Sequence, residues 1–207
     1  MTKKLIGMLM VAGVLGAAPI VINNTGLTSE GSVDPNWTIT SPAGSAFVTV
    51  VDGFPIGSPY WLANSAPSKW VQPEGASLNT NTPGTYTYQT TFNLTGFNVA
   101  TAAIQFRAAV DNQITAVRLN GNVVGFTYGS FTDFSNLFSV STAAWFNAGV
   151  NTLQFDVLNL NVGGNNPSGF RVEISGTADS LTQTPEPATM LMAAPVLIAL
   201  ALRRRRS

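Results

Sequence analysis

The chain has no cysteine and no histidine in its 207 residues. These absences exclude disulfides, a thiolate nucleophile, a Ser-His-Asp triad, and any zinc or copper site built on imidazole or thiolate. Charge is scarce too, with 10 basic and 10 acidic residues, and it is unevenly spread. Lys3, Lys4 and Arg203 to Arg206 sit at the two ends. The stretch 19–184 therefore keeps four basic residues (Lys69, Arg107, Arg118, Arg171) against nine carboxylates, a formal −5. Such a module lacks the lysines and arginines that displace counterions from nucleic acid, so nucleic acid is excluded as a partner. Its acidity serves solubility. About 165 residues are enough to bury a core without disulfides. Paired carboxylates, which glycoside hydrolysis requires, are not evident either. Glu74 and Glu173 have no spacing that marks them as a pair, so the chain reads as non-enzymatic, with a hydrolase-like activity ranked third.

No segment between Asn23 and Asp179 sustains a 3.6-residue apolar period. Short β-rich runs stand there instead: 46–51, 85–94, 102–110, 114–119, 123–128, 152–158 and 170–175. Asn120-Gly121 between two of them is a strong hairpin signal, because both residues accept the positive φ of a type I′ turn. In the run after Asn151, Leu153, Phe155 and Val157 alternate with Gln154 and Asp156, so one face can be buried. Prolines 55, 59, 67, 73, 83 and 167 fall between runs, where they do not disturb a ladder. Thr142 to Phe146 allows one helical turn. Strands at this spacing predict an all-β antiparallel sandwich over 19–179. Residues 180–184 read as a linker.

The central pattern has a specific order. Asp111-Asn112 is followed by the hairpin at Leu119-Asn120-Gly121, an aromatic loop from Phe131 to Phe138, then Gly149-Val150-Asn151-Thr152-Leu153 and a strand ending at Asn159. From about Trp70 to Ile174 it resembles the galactose-binding-like jelly roll found beside glycoside hydrolase domains and in carbohydrate-binding modules. That resemblance implies sugar contact through loops at one end or through a concave sheet face. It also implies a structural calcium as the one metal to consider, with no other cofactor. The oxygen donors for calcium are Asp52, Asp111, Asp133 and Asn159. Each has a plainer reading as a solvated loop residue. A sugar needs flat aromatic platforms edged by amides or carboxylates. The residues chosen on that ground are Tyr60, Trp61, Asp111, Asn112, Tyr128 and Asn161. Tyr60-Trp61 lies among prolines and polar residues, which predicts loop exposure. Trp70 and Trp145 read equally well as core.

Both ends carry addresses. Lys3-Lys4, an apolar stretch from Leu5, and the small residues Gly16, Ala17 and Ala18 have the pattern of a secretory signal peptide over 1–18, a substrate for signal peptidase. The tail reads Pro185-Glu186-Pro187, an apolar run from Ala188 to Leu202, then Arg203-Arg204-Arg205-Arg206. The prolines make the triplet stiff and extended. The run reads as a transmembrane helix over 188–202, held on the cytoplasmic side by the arginines. It is shorter than the ~20 residues of a stable span, and Pro195 interrupts it. A segment held briefly and then cut fits better than a permanent anchor. These residues resemble the PEP-CTERM sorting signal of Gram-negative bacteria, also catalogued as an ice-binding-protein C-terminal-type domain. The resemblance implies processing of 185–207 by an exosortase in the inner membrane, and delivery to the cell surface or an exopolysaccharide matrix. Two roles then remain for the domain: a binder of matrix polysaccharide, or a structural component with no small ligand.

Overall fold

The computed structural model describes residues 16–48, 54–57, 60–73, 81–161, 163 and 165–181. The signal segment up to residue 15, Asp52, Pro185-Glu186-Pro187, the 188–202 run and Arg203 to Arg206 lie outside the described residues. Among the described residues, no helix is long and apolar enough to cross a membrane.

The described chain is all-β and antiparallel. Its strands are β1 (Ala17–Pro19), β2 (Val33–Ser41), β3 (Ala43–Val48), β4 (Val71–Gln72), β5 (Gly84–Asn93), β6 (Phe97–Asp111), β7 (Gln113–Leu119), β8 (Asn122–Val123), β9 (Phe138–Val140), β10 (Val150–Asn159) and β11 (Gly169–Ser180). They form one sheet in the order β8-β7-β10-β5-β2-β3-β4-β11-β6-β9, with β1 added to β11. The first strand thus takes in Ala17 and Ala18, which pair with Asp179 and Ala178.

The sheet curls back on itself, and aromatic rings on its inner face show where. Phe155 of β10 lies 4.9 Å from Phe170 of β11 and 5.1 Å from Phe106 of β6, although these strands are far apart in the sheet order. Trp37 and Tyr88 close on Phe170 at 5.5 and 5.1 Å. Alternation makes this possible: Leu153, Phe155 and Val157 are fully buried while Gln154 and Asp156 are not. Burying each such ring contributes roughly 2–3 kcal/mol.

The Asn120-Gly121 turn forms as its sequence predicts, with φ of 50° and 82°, and pairs Leu119 with Asn122. The strand expected over 123–128 stops at Val123, because Gly125 takes a φ of 70° and turns the chain. Tyr128 keeps only an isolated bridge to Ile114. Four strands have no counterpart among the expected runs: β1, β2, β4 and β9. The longest of them, β2, contains Pro35, and its pairing with β3 is interrupted between Val33 and Thr38, where the missing N–H does no harm. The helical turn is present as a 3₁₀ turn over Ala143–Trp145.

Candidate functional site

The candidate residues converge on the end of the molecule where β6 finishes and β11 begins. The loop between β3 and β4 supplies the aromatics. Its local hydrogen bonds are tight: Trp61 N donates to the Pro55 carbonyl at 2.7 Å, Tyr60 N to Gly57 at 2.9 Å, and Gly57 N back to Trp61 at 2.7 Å. Successive side chains in this turn face opposite ways. Tyr60 is 51% exposed and meets Phe54, 41% exposed, edge-on at 5.0 Å. Trp61 points inward and is 2% exposed.

The exposure expected for Trp61 is therefore corrected. Its ring packs on Trp70 with centroids 4.4 Å apart, and its indole N–H donates to Asp111 Oδ2 at 2.8 Å. The ring lies over Gly169, the only residue type that leaves room: a Cβ there would stand 2.5 Å from Trp61 Cη2. Trp70 is core as well, and its indole donates to the Leu62 carbonyl at 2.7 Å. Asp111 is also buried, so it does not offer an open carboxylate to a sugar edge. Burial pushes its carboxyl above the usual range, and the Trp61 indole and nearby Asn112 oppose the shift.

The other three candidates lie around this pair. Asn112 follows Asp111 through a cis peptide and accepts the Leu160 N–H at 2.7 Å, next to exposed Asn161. Asn161 accepts a long bond from Gly163 N, at 3.4 Å. Tyr128 is half-buried, and the following Gly129 packs against the Asn112 carbonyl. Leu62 N donates to the Phe131 carbonyl at 2.7 Å, which ties the Tyr60 loop to the aromatic loop after β8. The six residues chosen from sequence thus share one neighbourhood, with Tyr60, Tyr128, Asn112 and Asn161 toward solvent and Trp61 with Asp111 beneath them.

A buried arginine holds the Tyr60–Trp70 loop in place. Arg171, on β11, donates to the Ala63 carbonyl, to Ser65 Oγ at 2.6 Å and to Ser68 Oγ at 2.8 Å. Ser68 in turn donates to Glu173 Oε1 at 2.9 Å, while Glu173 Oε2 pairs with Arg107 at 2.6 Å. The Phe134 ring faces both guanidiniums, 4.6 Å from Arg107 and 4.9 Å from Arg171. Burial pulls the Arg171 guanidinium down to about 10, and Glu173 offsets part of that. It remains charged at neutral pH. Glu173 is thus committed to three partners, Ser68, Arg107 and, at 3.8 Å, Arg171.

Of the calcium candidates, Asp133 is exposed and its Oδ2 accepts the hydroxyls of Ser130 and Thr132 at 3.2 and 3.0 Å. Asp111 and Asn159 are buried, and no group of three acidic residues gathers among the described residues. Asn159 Nδ2 donates to the carbonyls of Asn81 and Thr82 at 3.2 and 3.0 Å. Asn81, Asn166 and Ser168 complete this buried knot, and the sequence reading missed all three. Asn81 and Asn166 stand beside Pro83 and Pro167, which made them look like ordinary turn residues.

No protein-family model and no curated protein matches this chain. Function is therefore argued from its own residues.

Proposed function

We propose that this is an exported, non-catalytic protein carried to the cell surface or extracellular matrix of a Gram-negative bacterium by a disposable C-terminal sorting signal. The observation that carries this reading is the order of the tail: Pro185-Glu186-Pro187, a short apolar run broken by Pro195, then four arginines. The N-terminal signal peptide starts translocation. The apolar run stalls in the inner membrane with the arginines inside. The stiff triplet is then presented to an exosortase at the outer face. Replacing Glu186, or all four arginines, should leave unprocessed protein in the inner membrane of the native host, read by fractionation and immunoblot. Normal release of both variants refutes the sorting reading.

The curled sheet belongs, in this proposal, to a galactose-binding-like jelly-roll sandwich, with matrix polysaccharide as the partner of its loop end. In support, Tyr60, Phe54, Phe131 and half-buried Tyr128 present aromatic surface there, beside the amides of Asn112 and Asn161. Affinity electrophoresis in neutral and acidic polysaccharides tests it: retardation should be lost in Tyr60→Ala. No retardation of the parent protein in any of them favours the second reading, a structural matrix component. Burial of Trp61 favours that second reading too, since it removes the largest platform from the surface.

A further inference from the structure

Three bonds compete as the end of the N-terminal signal segment: those after Gly16, Ala17 and Ala18. A cut after Ala18 sets Pro19 behind the bond, with its fixed φ and no N–H. The usual cleavage pattern has small residues at the bond and two positions before it. A cut after Ala17 sets bulky Leu15 at the earlier position, and a cut after Gly16 sets the smaller Val14 there. The fold separates the three bonds further. Ile20 is buried over Gly176, and its N–H donates to the Gly176 carbonyl at 2.8 Å, so the chain is pinned from Ile20 onward. Before it, Ala17, Ala18 and Pro19 run antiparallel to Asp179, Ala178 and Thr177. Bonded and non-bonded pairs alternate along such a ladder. Counting back from Ile20, Ala18 with Ala178 is a bonded pair, and Pro19 and Ala17 stand at non-bonded positions. Pro19 loses nothing there by lacking an N–H, and the ladder does not use the Ala17 nitrogen either. Gly16 is exposed, with nothing within 4 Å of where a Cβ would stand, whereas Ala18 is half-buried. Opposite Ala17 stands Asp179, whose own N–H is spent on Thr101 Oγ1 at 2.8 Å. None of the ion pairs formed among the described residues takes the Asp179 carboxylate.

We infer that signal peptidase hydrolyses the Gly16–Ala17 bond, and that the ammonium so made on Ala17 closes the end of the ladder against the Asp179 carboxylate. The inference rests on the signal-peptide reading. In the step, the C–N bond breaks and the oxygen of a water joins the Gly16 carbonyl carbon, so the released segment leaves as a carboxylate. Ala17 keeps the nitrogen, which takes both of the water's protons and becomes the ammonium. This cut leaves β1 whole and puts a cation opposite a carboxylate that has none. A cut after Ala17 would remove the residue opposite Asp179 and charge the Ala18 nitrogen that the ladder uses. A cut after Ala18 would remove most of the strand. This end lies about 33 Å along β11 from Gly169, at roughly 3.3 Å per residue, so it is independent of the polysaccharide reading of the loop end.

The test is the N-terminal residue of the exported protein, after the full chain is expressed in a Gram-negative host. Amine labelling and mass spectrometry of the first peptide read it whatever happens at the other end. The expected first residue is Ala17. A first residue of Ala18, Pro19 or any later position overturns this assignment and leaves the signal-peptide reading standing. An uncut chain that still carries residues 1–16 overturns both. Gly16→Leu should block the cut and Ala17→Leu should leave it in place, because only the first puts bulk on the small-residue side of the bond. The reverse pattern assigns the bond after Ala17 and overturns the proposal. A broad-specificity aminopeptidase tests the role of the ammonium. Asp179→Asn should speed removal of Ala17 from the mature protein by roughly 1.5–5-fold, the effect of losing an exposed ion pair. Equal trimming rates in the parent and in Asp179→Asn overturn the pairing of Ala17 with Asp179.

Discussion

Gly169→Ala is the sharpest probe of how the loop end is built. Residue 169 has no positive φ, so alanine suits the backbone, and any effect must come from the new methyl group. That methyl would lie 2.5 Å from Trp61 Cη2, 2.6 Å from Trp61 Cζ3 and 3.1 Å from Trp70 Cε3. Ordinary carbon contacts lie at about 3.5–4.0 Å, so the Trp61 ring must move by about 1 Å. It cannot slide freely, because Trp70 stacks on it and Asp111 holds its N–H at 2.8 Å. Overpacking costs about 1–3 kcal/mol, and a weakened hydrogen bond to a carboxylate adds up to about 1.5–3 kcal/mol. A loss of about 3 kcal/mol follows, or roughly 6–12 °C in melting temperature for a domain of this size. The assay is thermal unfolding of the full chain by far-ultraviolet circular dichroism, with indole fluorescence as a local report. In a Trp61→Ala background the same substitution should cost little, because the ring it strikes is gone. A fall under about 2 °C in the parent, or equal costs in both backgrounds, refutes the packing argument.

Three further outcomes follow from other contacts. Arg171→Met removes the donors to Ala63, Ser65 and Ser68, and should cost about 3–5 kcal/mol with new proteolytic cleavage within 62–69; an intact loop under limited trypsin or thermolysin digestion would count against the clamp. Asn151→Ala should lower stability by about 2–4 kcal/mol in urea unfolding, because Asn151 bridges Asn147, Gly149 and Asn120 from a fully buried position; a loss under about 1 kcal/mol would mean the loop stands without it. Asp34 is buried, and burial raises its carboxyl above 3.8 despite backbone N–H bonds from Gly26, Asn36 and Trp37. A raised folded value means its contribution to stability is complete below pH 3.8 and is lost as pH rises through that folded value. Melting temperatures of the parent relative to Asp34→Asn should therefore fall across that window; a relative rise would reverse the sign.

The parts of this fold that were legible in the sequence are those set by neighbours in the chain. β5, β6, β7, β10 and β11 all appear within a few residues of their expected spans, except that β6 and β11 run longer. Asn120-Gly121 forms its turn because the two positive φ angles are a local property. Asn151 finds backbone partners two and four residues away, also a local matter. β2 was hidden by Pro35, since a proline inside a run argues against a strand unless the ladder is known to break there. The inward turn of Trp61 was hidden for a different reason. Its flanking residues are polar and proline-rich, and nothing near it in sequence reveals Asp111, fifty positions on, or Gly169.

That distance explains why a surface reading grouped residues that do lie together and misjudged their layers. Aromatic and amide residues cluster at the end of a β domain both when they meet a ligand and when they cover a buried polar group. Here the covering use is the one seen: Trp61 lies inward on Asp111, and Tyr60 stands outside it. Trp61 donates to one oxygen of Asp111, so the largest ring of this end serves a buried carboxylate and not the surface. The hydrogen bonds of the Gly57 turn require Tyr60 to face out once Trp61 faces in. A ligand of the outer layer would then meet Tyr60, Tyr128 and the Asn112 and Asn161 amides, with the exposed Asp133 beside Tyr128, whose hydroxyl donates to the Asp133 carbonyl at 3.3 Å. Recognition by tyrosine rings and neutral amides favours a neutral sugar over a cationic one, so retardation in neutral polysaccharide should persist at high salt. Binding abolished by about 0.5 M salt would instead point to charge, for which exposed Asp133 beside Tyr128 is the candidate.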